Sequence, residues 1–335
     1  MFKKKNNSID DIEIIDVVEK MKKSLVLDII SKLFSILVFA LFIAAAFNYK
    51  IVGRYIAYNI IYKYEVLDQP QVGYVKEEEY TYFNSTHDFY PKSEEEIIDI
   101  FYTAINNGWT NFAFVCEYDY KNCEQDVSDV AANNELLTSI NNFVHPFNSF
   151  DRLKISMNNF GKITIEVIPL YTKEQITIIN TWVDDIIKTK INSSMTIRTK
   201  ILTIHDLIIN KTVYDKERAE AIKQSVKLDN NYSHIAYGII INGKAVCGGY
   251  TDLMTIFLER FGVENYKIST ADHVWNLVKY NDQWLHLDLT WDDPVSLYYP
   301  GRQSLSYNYF LITTTQLHKL DSQHNFDTDM FKEAQ

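Results

Sequence analysis

Three side chains have types and spacing that suit one piece of chemistry: Cys247, His273 and Asp288. A cysteine attacks as its thiolate, a histidine stabilises and returns protons near neutral pH, and a carboxylate fixes the tautomer and orientation of that histidine. Together they can attack an amide or acyl carbonyl, expel an amine and leave a thioester. The same three types also form a ligand set for zinc. A fourth ligand or open water position is not signalled, however, and thiolate–imidazole chemistry accounts for all three residues.

Each of the three needs an element to hold it. From Cys247 onward, Tyr250, Leu253, Met254, Phe257, Leu258 and Phe261 recur on one helical stripe, and Gly262 is placed to stop the helix. Cys247 therefore sits at a helix start, where the positive helix end and free amides favour a thiolate. Its own amide is a natural oxyanion donor, while Tyr214, Tyr237 and Trp275 all remain open as side-chain helpers. Gly248 and Gly249 carry no side chains to crowd a substrate beside the sulfur. Residues 273–280 and 283–290 read as two strands joined at Asn281-Asp282. In that register Trp275 opposes Asp288, and His273 lies diagonally across from Asp288 on the same face, within side-chain reach. His286 shares that face and is open to a secondary contact. His205-Asp206 falls within an apolar helical pattern and reads as structural. Asp292 and Asp293, before Pro294, read as shaping a turn.

The segments "VCGGY", "DHVWNLV" and "WLHLDLTWDDP" resemble the three characteristic blocks of the bacterial transglutaminase-like superfamily, which shares the papain-like cysteine-protease architecture. The resemblance extends to "IHDLIINKTVYD", "AYGIIINGKAVCGGY" and "YNYFLITTTQLHKLDSQHNFD", covering residues 175–330. It implies Cys247 as nucleophile, His273 as base and Asp288 as orienter, on an α+β papain-like core. Family members transfer acyl groups from glutamine to amines or resemble peptidases and amidases, and some have lost activity. Acyl transfer, cell-envelope amide hydrolysis and a catalytically silent, membrane-anchored peptide-binding module are thus the alternatives. Certain animal members require calcium. The sequence contains no EF-hand loop, "DLTWDDP" alone is poor evidence for a calcium site, and no cofactor or metal is expected.

Around that core, 335 residues with 47% hydrophobic and 14% aromatic content point to a folded body. A net charge of -11 argues against a nucleic-acid partner, and zinc-finger, Walker and dinucleotide patterns are missing. The expected partners are a protein or peptide substrate and a lipid bilayer. Residues 33–49 form an uncharged, mostly apolar run at the short end of what crosses a bilayer. The weak lysine bias places the amino terminus inside and the catalytic region outside the cytoplasm. Ala44 and Ala46 also fit a cleaved signal peptide, although the region ahead of the run is long for one. The expected organisation is a cytoplasmic segment (1–32), an anchor (33–49), a juxtamembrane linker (50–92), a small α+β domain without evident chemistry (93–172) and the catalytic domain (173–330). Within the small domain Ser93 and Glu96 suit a capping box, a second helix is expected near 127–143, and "RLKISM" and "KITIEVIPL" read as a hairpin. Cys116 and Cys123 either close a small loop or remain free thiols.

Overall fold

Uninterrupted apolar and helix-favouring residues build α1 (Asp10–Phe47), followed by the short α2 (Tyr49–Ile56). The computed structural model describes residues 10–57, 74–78, 80–117, 119–224, 226, 231–293 and 305–334. Its contacts divide the chain into two units, Met1–Tyr64 and Glu65–Gln335. In the first, Glu19–Phe47 is a 29-residue stretch whose most apolar 18-residue window has a mean hydropathy of 2.4, the one helix among the described residues long and apolar enough to cross a membrane. At 1.5 Å per residue it is about 43 Å long, more than the ~30 Å of a hydrocarbon layer. It starts well before the expected 33–49, because Lys20, Lys22 and Lys23 are good helix formers and continue the same helix.

In the second unit the first described stretch, residues 74–78 and 80–92, is polar and irregular. It is irregular as expected, yet it is not a loose linker: Lys76, Tyr80 and Phe83 are buried. The Lys76 ammonium pairs with Glu259 at 2.8 Å, and its backbone exchanges hydrogen bonds with the Asn106 amide. Ser93 caps α3 (Glu94–Asn106) by accepting from the Glu96 amide, and Gly108 turns away at φ +66°. Next come β1 (Asn111–Val115), α4 (Cys123–Ala132) and α5 (Asn134–Phe143). The single helix expected near 127–143 is thus two, because the Asn133 side chain caps a new helix by accepting from the Leu136 amide. The Cys116 and Cys123 sulfurs are bonded across a Cα separation of 5.6 Å, leaving Cys247 as the free cysteine.

The hairpin of β2 (Phe150–Met157) and β3 (Lys162–Pro169) turns at Gly161 and completes an antiparallel sheet in the order β1-β3-β2. A capping box from Thr172 and Gln175 then opens α6 (Lys173–Lys190), and Thr196 caps α7 (Ile197–Lys211). The chain continues through β4 (Val213–Tyr214), α8 (Lys216–Lys223), α9 (Ala236–Asn242), β5 (Lys244–Ala245) and α10 (Cys247–Arg260). A second antiparallel sheet follows, formed by β6 (Asn265–Ser269), β7 (Val274–Tyr280), β8 (Gln283–Leu287) and β9 (Phe310–Ile312) in sequence order. The short α11 (Leu289–Asp292) follows β8, and α12 (Thr314–Leu320) follows β9.

This is a mixed α+β architecture with two hydrophobic clusters. One unites Ile97 and Phe101 of α3, Ile163 and Ile165 of β3, and Tyr266, Trp275 and Leu277 of the second sheet. Residues 93–172 therefore share a core with the sheet that carries the site. The other surrounds α10, whose Tyr250, Leu253, Met254 and Phe257 are fully buried against Ile201, Ile204 and Ile208 of α7. Burying such side chains contributes about 1.5–3 kcal/mol each, so α10 is held firmly in the core.

Candidate active site

The start of α10 is set by what precedes it. Gly243 adopts φ +64° at the end of α9, and the parallel pairing of Tyr214 with Ala245 then aims the chain into the helix. Val246 is extended and Cys247 is the first helical residue. Its amide lies in the first turn, where a helix supplies no acceptors of its own. Gly248 and Gly249 have a different reason from the one expected. A Cβ on Gly248 would lie 2.7 Å from the His234 carbonyl oxygen, and one on Gly249 would lie 2.8 Å from that of Ser233. The glycines let the 233–235 backbone pack against the helix start, so their need arises within the protein.

The β7–β8 hairpin turns at Asn281 (φ +51°) and Asp282 (φ +59°), two left-handed residues in succession, as in a tight type I′ turn. The register pairs Tyr280 with Gln283 and Asn276 with Leu287, so Trp275 does face Asp288. The strands are shorter than expected. His273 lies just before β7, and Asp288 just after β8, where it caps α11 with Oδ1 accepting from the Thr290 amide at 2.9 Å and the Trp291 amide at 3.2 Å. The other oxygen, Oδ2, lies 2.5 Å from His273 Nε2. The Cys247 thiol lies close enough to that ring to act on its charge. His273 and Asp288 are thus brought together at the two outer ends of one hairpin, and Cys247 stands at a helix start near the His273 ring.

Electrostatics follow from this placement. Burial opposes a charge on His273, but the charge and hydrogen bond of Asp288, then those of Cys247, raise it to about 10. Burial likewise opposes ionisation of Asp288, yet His273 and then His324 hold it well below the usual carboxylate range. Burial, then the nearby Cys247 thiol, raise the Tyr214 hydroxyl. Of the three side chains open as oxyanion helpers, Tyr214 is the one with this link to Cys247. Trp275 donates its indole N–H to His286 Nδ1 at 2.9 Å, and Tyr237 packs edge-on against Tyr232. His286 does not touch Asp288: its other nitrogen meets Thr314 Oγ1 at 3.0 Å, and burial, with His324 and His318, lowers it to about 3.

His324 was not foreseen. Its Nε2 lies 2.8 Å from the same Asp288 Oδ2, and its Nδ1 lies 3.0 and 2.9 Å from the two oxygens of Asp321. The Asp321–His324 spacing suits a local turn, but nothing in the sequence ties that turn to Asp288, 36 residues earlier. His205 is structural as expected, with Nδ1 on Asp206 and Nε2 on Asp292. Asp292 and Asp293 do more than shape a turn. Asp292 also accepts from the Tyr309 amide, and Asp293 from the Tyr250 hydroxyl, so both are buried acceptors tying α7, α10 and β9 together. Pro294 lies outside the described residues.

Among the described residues, His273, Asp288 and His324 are the set whose ligand atoms, all within 4.8 Å of one another, have spacing fit for a metal ion. Their Nε2–Oδ2 separations of 2.5 and 2.8 Å are hydrogen-bond distances. Two ligands on one tetrahedral zinc stand roughly 3.3 Å apart. The arrangement therefore suits mutual hydrogen bonding better than coordination, and Cys247 is not part of the set.

No protein-family model matches the chain, and no curated protein matches it. Among solved structures, a transglutaminase (TGase) is similar over 42% of this chain and 45% of that one, at 17% identity and a TM-score of 0.30. A candidate cysteine protease from Cytophaga hutchinsonii is similar over 42% of this chain and 61% of that one, at 10% identity and a TM-score of 0.25. The chain thus spans less than two thirds of either structure. This resemblance is weak and partial, and the function proposed below rests on the site.

Proposed function

We propose that this protein is a thiol-dependent acyltransferase or hydrolase acting on protein or peptide amides, with Cys247 as nucleophile, His273 as acid and base, and Asp288 as orienter. The observation that carries this reading is the His273–Asp288 pair, with its carboxylate buried and multiply hydrogen-bonded and the partly exposed Cys247 thiol acting on the same ring. The Cys247 sulfur attacks the amide carbon, and the oxyanion is met by the Cys247 amide and the Tyr214 hydroxyl. The His273 N–H gives its proton to the departing amine, the carbon–nitrogen bond breaks and a thioester remains. Water or a second amine then attacks while His273 accepts its proton, restoring the thiolate–imidazolium pair. Entry of water gives hydrolysis, and entry of an amine gives crosslinking. The apolar helix 19–47 supports a membrane-anchored enzyme with its body on the extracytoplasmic side, acting on envelope proteins or peptides.

The test offers the full chain, in detergent, a peptide library with and without a labelled primary amine, alongside Cys247→Ala. Cleavage or deamidation that needs Cys247 identifies a hydrolase, and amine incorporation identifies a transferase. Folded protein that binds peptides but forms no thioester and turns nothing over would sink the enzyme reading in favour of a binding module.

A further inference from the structure

A carboxylate oxygen that faces two ring nitrogens accepts from both only if each nitrogen carries a hydrogen. Asp288 Oδ2 faces His273 Nε2 at 2.5 Å and His324 Nε2 at 2.8 Å. On its far side His324 Nδ1 faces both oxygens of Asp321, at 3.0 and 2.9 Å. Carboxylates on both sides leave His324 no acceptor role, since both of its nitrogens must donate. The His324 side chain is wholly buried and that of Asp288 is 1% exposed, so water does not supply the missing partners. Tyr309 donates its hydroxyl to Asp321 at 3.0 Å and stacks on His324, while Trp275 and Trp291 pack edge-on against the ring. The charged and titratable groups facing this ring are Asp288, Asp321, His273, His286 and Tyr309.

We propose that His324, clamped by Asp321, is a positioning residue: a buried imidazolium that keeps Asp288 ionised and turned towards His273. The inference rests on the triad reading above and extends it to a five-residue chain, Cys247–His273–Asp288–His324–Asp321. Two consequences follow. The Asp288 carboxylate is held from three directions, by the α11 amides, His273 and His324, so it cannot rotate away when His273 moves a proton. A fixed positive charge behind Asp288 also keeps the site ionised as the pH falls. Removing that charge raises every proton affinity nearby, whether the group that limits reactivity at low pH is Asp288 or the thiol.

The test uses the full chain in detergent and needs no substrate. Cys247 alkylation by iodoacetamide is followed from pH 4 to 8 in wild type and His324→Gln. The proposal expects the low-pH limb of that profile to move up by about one pH unit in His324→Gln, as loss of a cation within ~4–6 Å requires. A fall in rate with the limb unmoved would mean that His324 merely packs, and would overturn the proposal. Because His324→Gln may itself misfold, the second measurement is made on wild type. Nitrogen-15 spectra at pH 7 should show hydrogens on both His324 ring nitrogens, and a neutral ring there would overturn the proposal without any variant. One zinc bound per chain and lost in His324→Gln would also overturn it, since these atoms cannot coordinate a metal and bond one another together. If wild-type Cys247 resists alkylation across the whole range, the triad reading fails, while the His324 spectrum still decides the state of the clamp.

Discussion

The distinction between Asp288 and an ordinary strand-end carboxylate lies in its four donors, two backbone amides and two imidazoles. Asp288→Asn keeps the shape but replaces one acceptor oxygen by a donor nitrogen, which loses the α11 cap in the Oδ1 place and both imidazole contacts in the Oδ2 place. Turnover or alkylation should fall about 10²- to 10⁴-fold, in the range found when an orienting carboxylate is neutralised, with the melting curve showing whether fold is also lost. The His273 pair should be visible in stability as well. A histidine raised to about 10 in the folded chain contributes stability that is complete below its unfolded value of about 6.5 and is lost as pH rises through the folded value. The stability advantage of wild type over His273→Gln in urea unfolding should therefore shrink between pH 7 and 10. An advantage that grows over that interval would contradict the ion pair. At this scale the sequence was legible where side chains follow local periodicity: the His273–Asp288 contact, set by the hairpin register, was within its reach. His324 was not, because its meaning comes from a contact made 36 residues away.

At the scale of elements, the hairpin and the helix that meet at the site were both readable, since Asn281-Asp282 is turn chemistry and the stripe from Tyr250 to Phe257 is plainly helical. Their ends were harder. Asp288 leaves β8 because its side chain caps the next helix, a competition between strand and cap that alternation alone does not reveal. The role of the glycines was also hidden, because it depends on the backbone of residues 233–235 arriving from elsewhere. Gly249→Ala places a methyl group 2.8 Å from the Ser233 carbonyl oxygen and 2.9 Å from Ala245 Cβ, so backbone must shift. Overpacking of this kind costs about 1–3 kcal/mol, and the melting midpoint should drop by a few degrees. Cys247 alkylation should slow with it, as the helix start is displaced. An unaltered midpoint with unaltered alkylation would mean that the segment before α9 yields freely.

For the whole molecule, cysteine use and the apolar helix give a joint prediction about place. Under denaturing, non-reducing conditions one thiol per chain should titrate, and three after reduction, because Cys116 and Cys123 are joined and Cys247 is free. The full chain should sediment with membranes, and a chain lacking residues 1–64 should not; a freely soluble full chain would remove the anchor. The sequence made the apolar amino-terminal helix and the α+β class visible by composition and periodicity, but it hid how residues 93–172 merge into the core of the second sheet. That merging is completed from the far end of the chain. Glu333 accepts from the Thr81 amide and hydroxyl at 2.9 and 2.7 Å and from the Tyr266 hydroxyl at 3.2 Å, while Phe331 stacks on Phe143. These residues follow Cys247, His273 and Asp288 in the chain, so a nascent chain holds those three before the segment that closes the core around their sheet has been made.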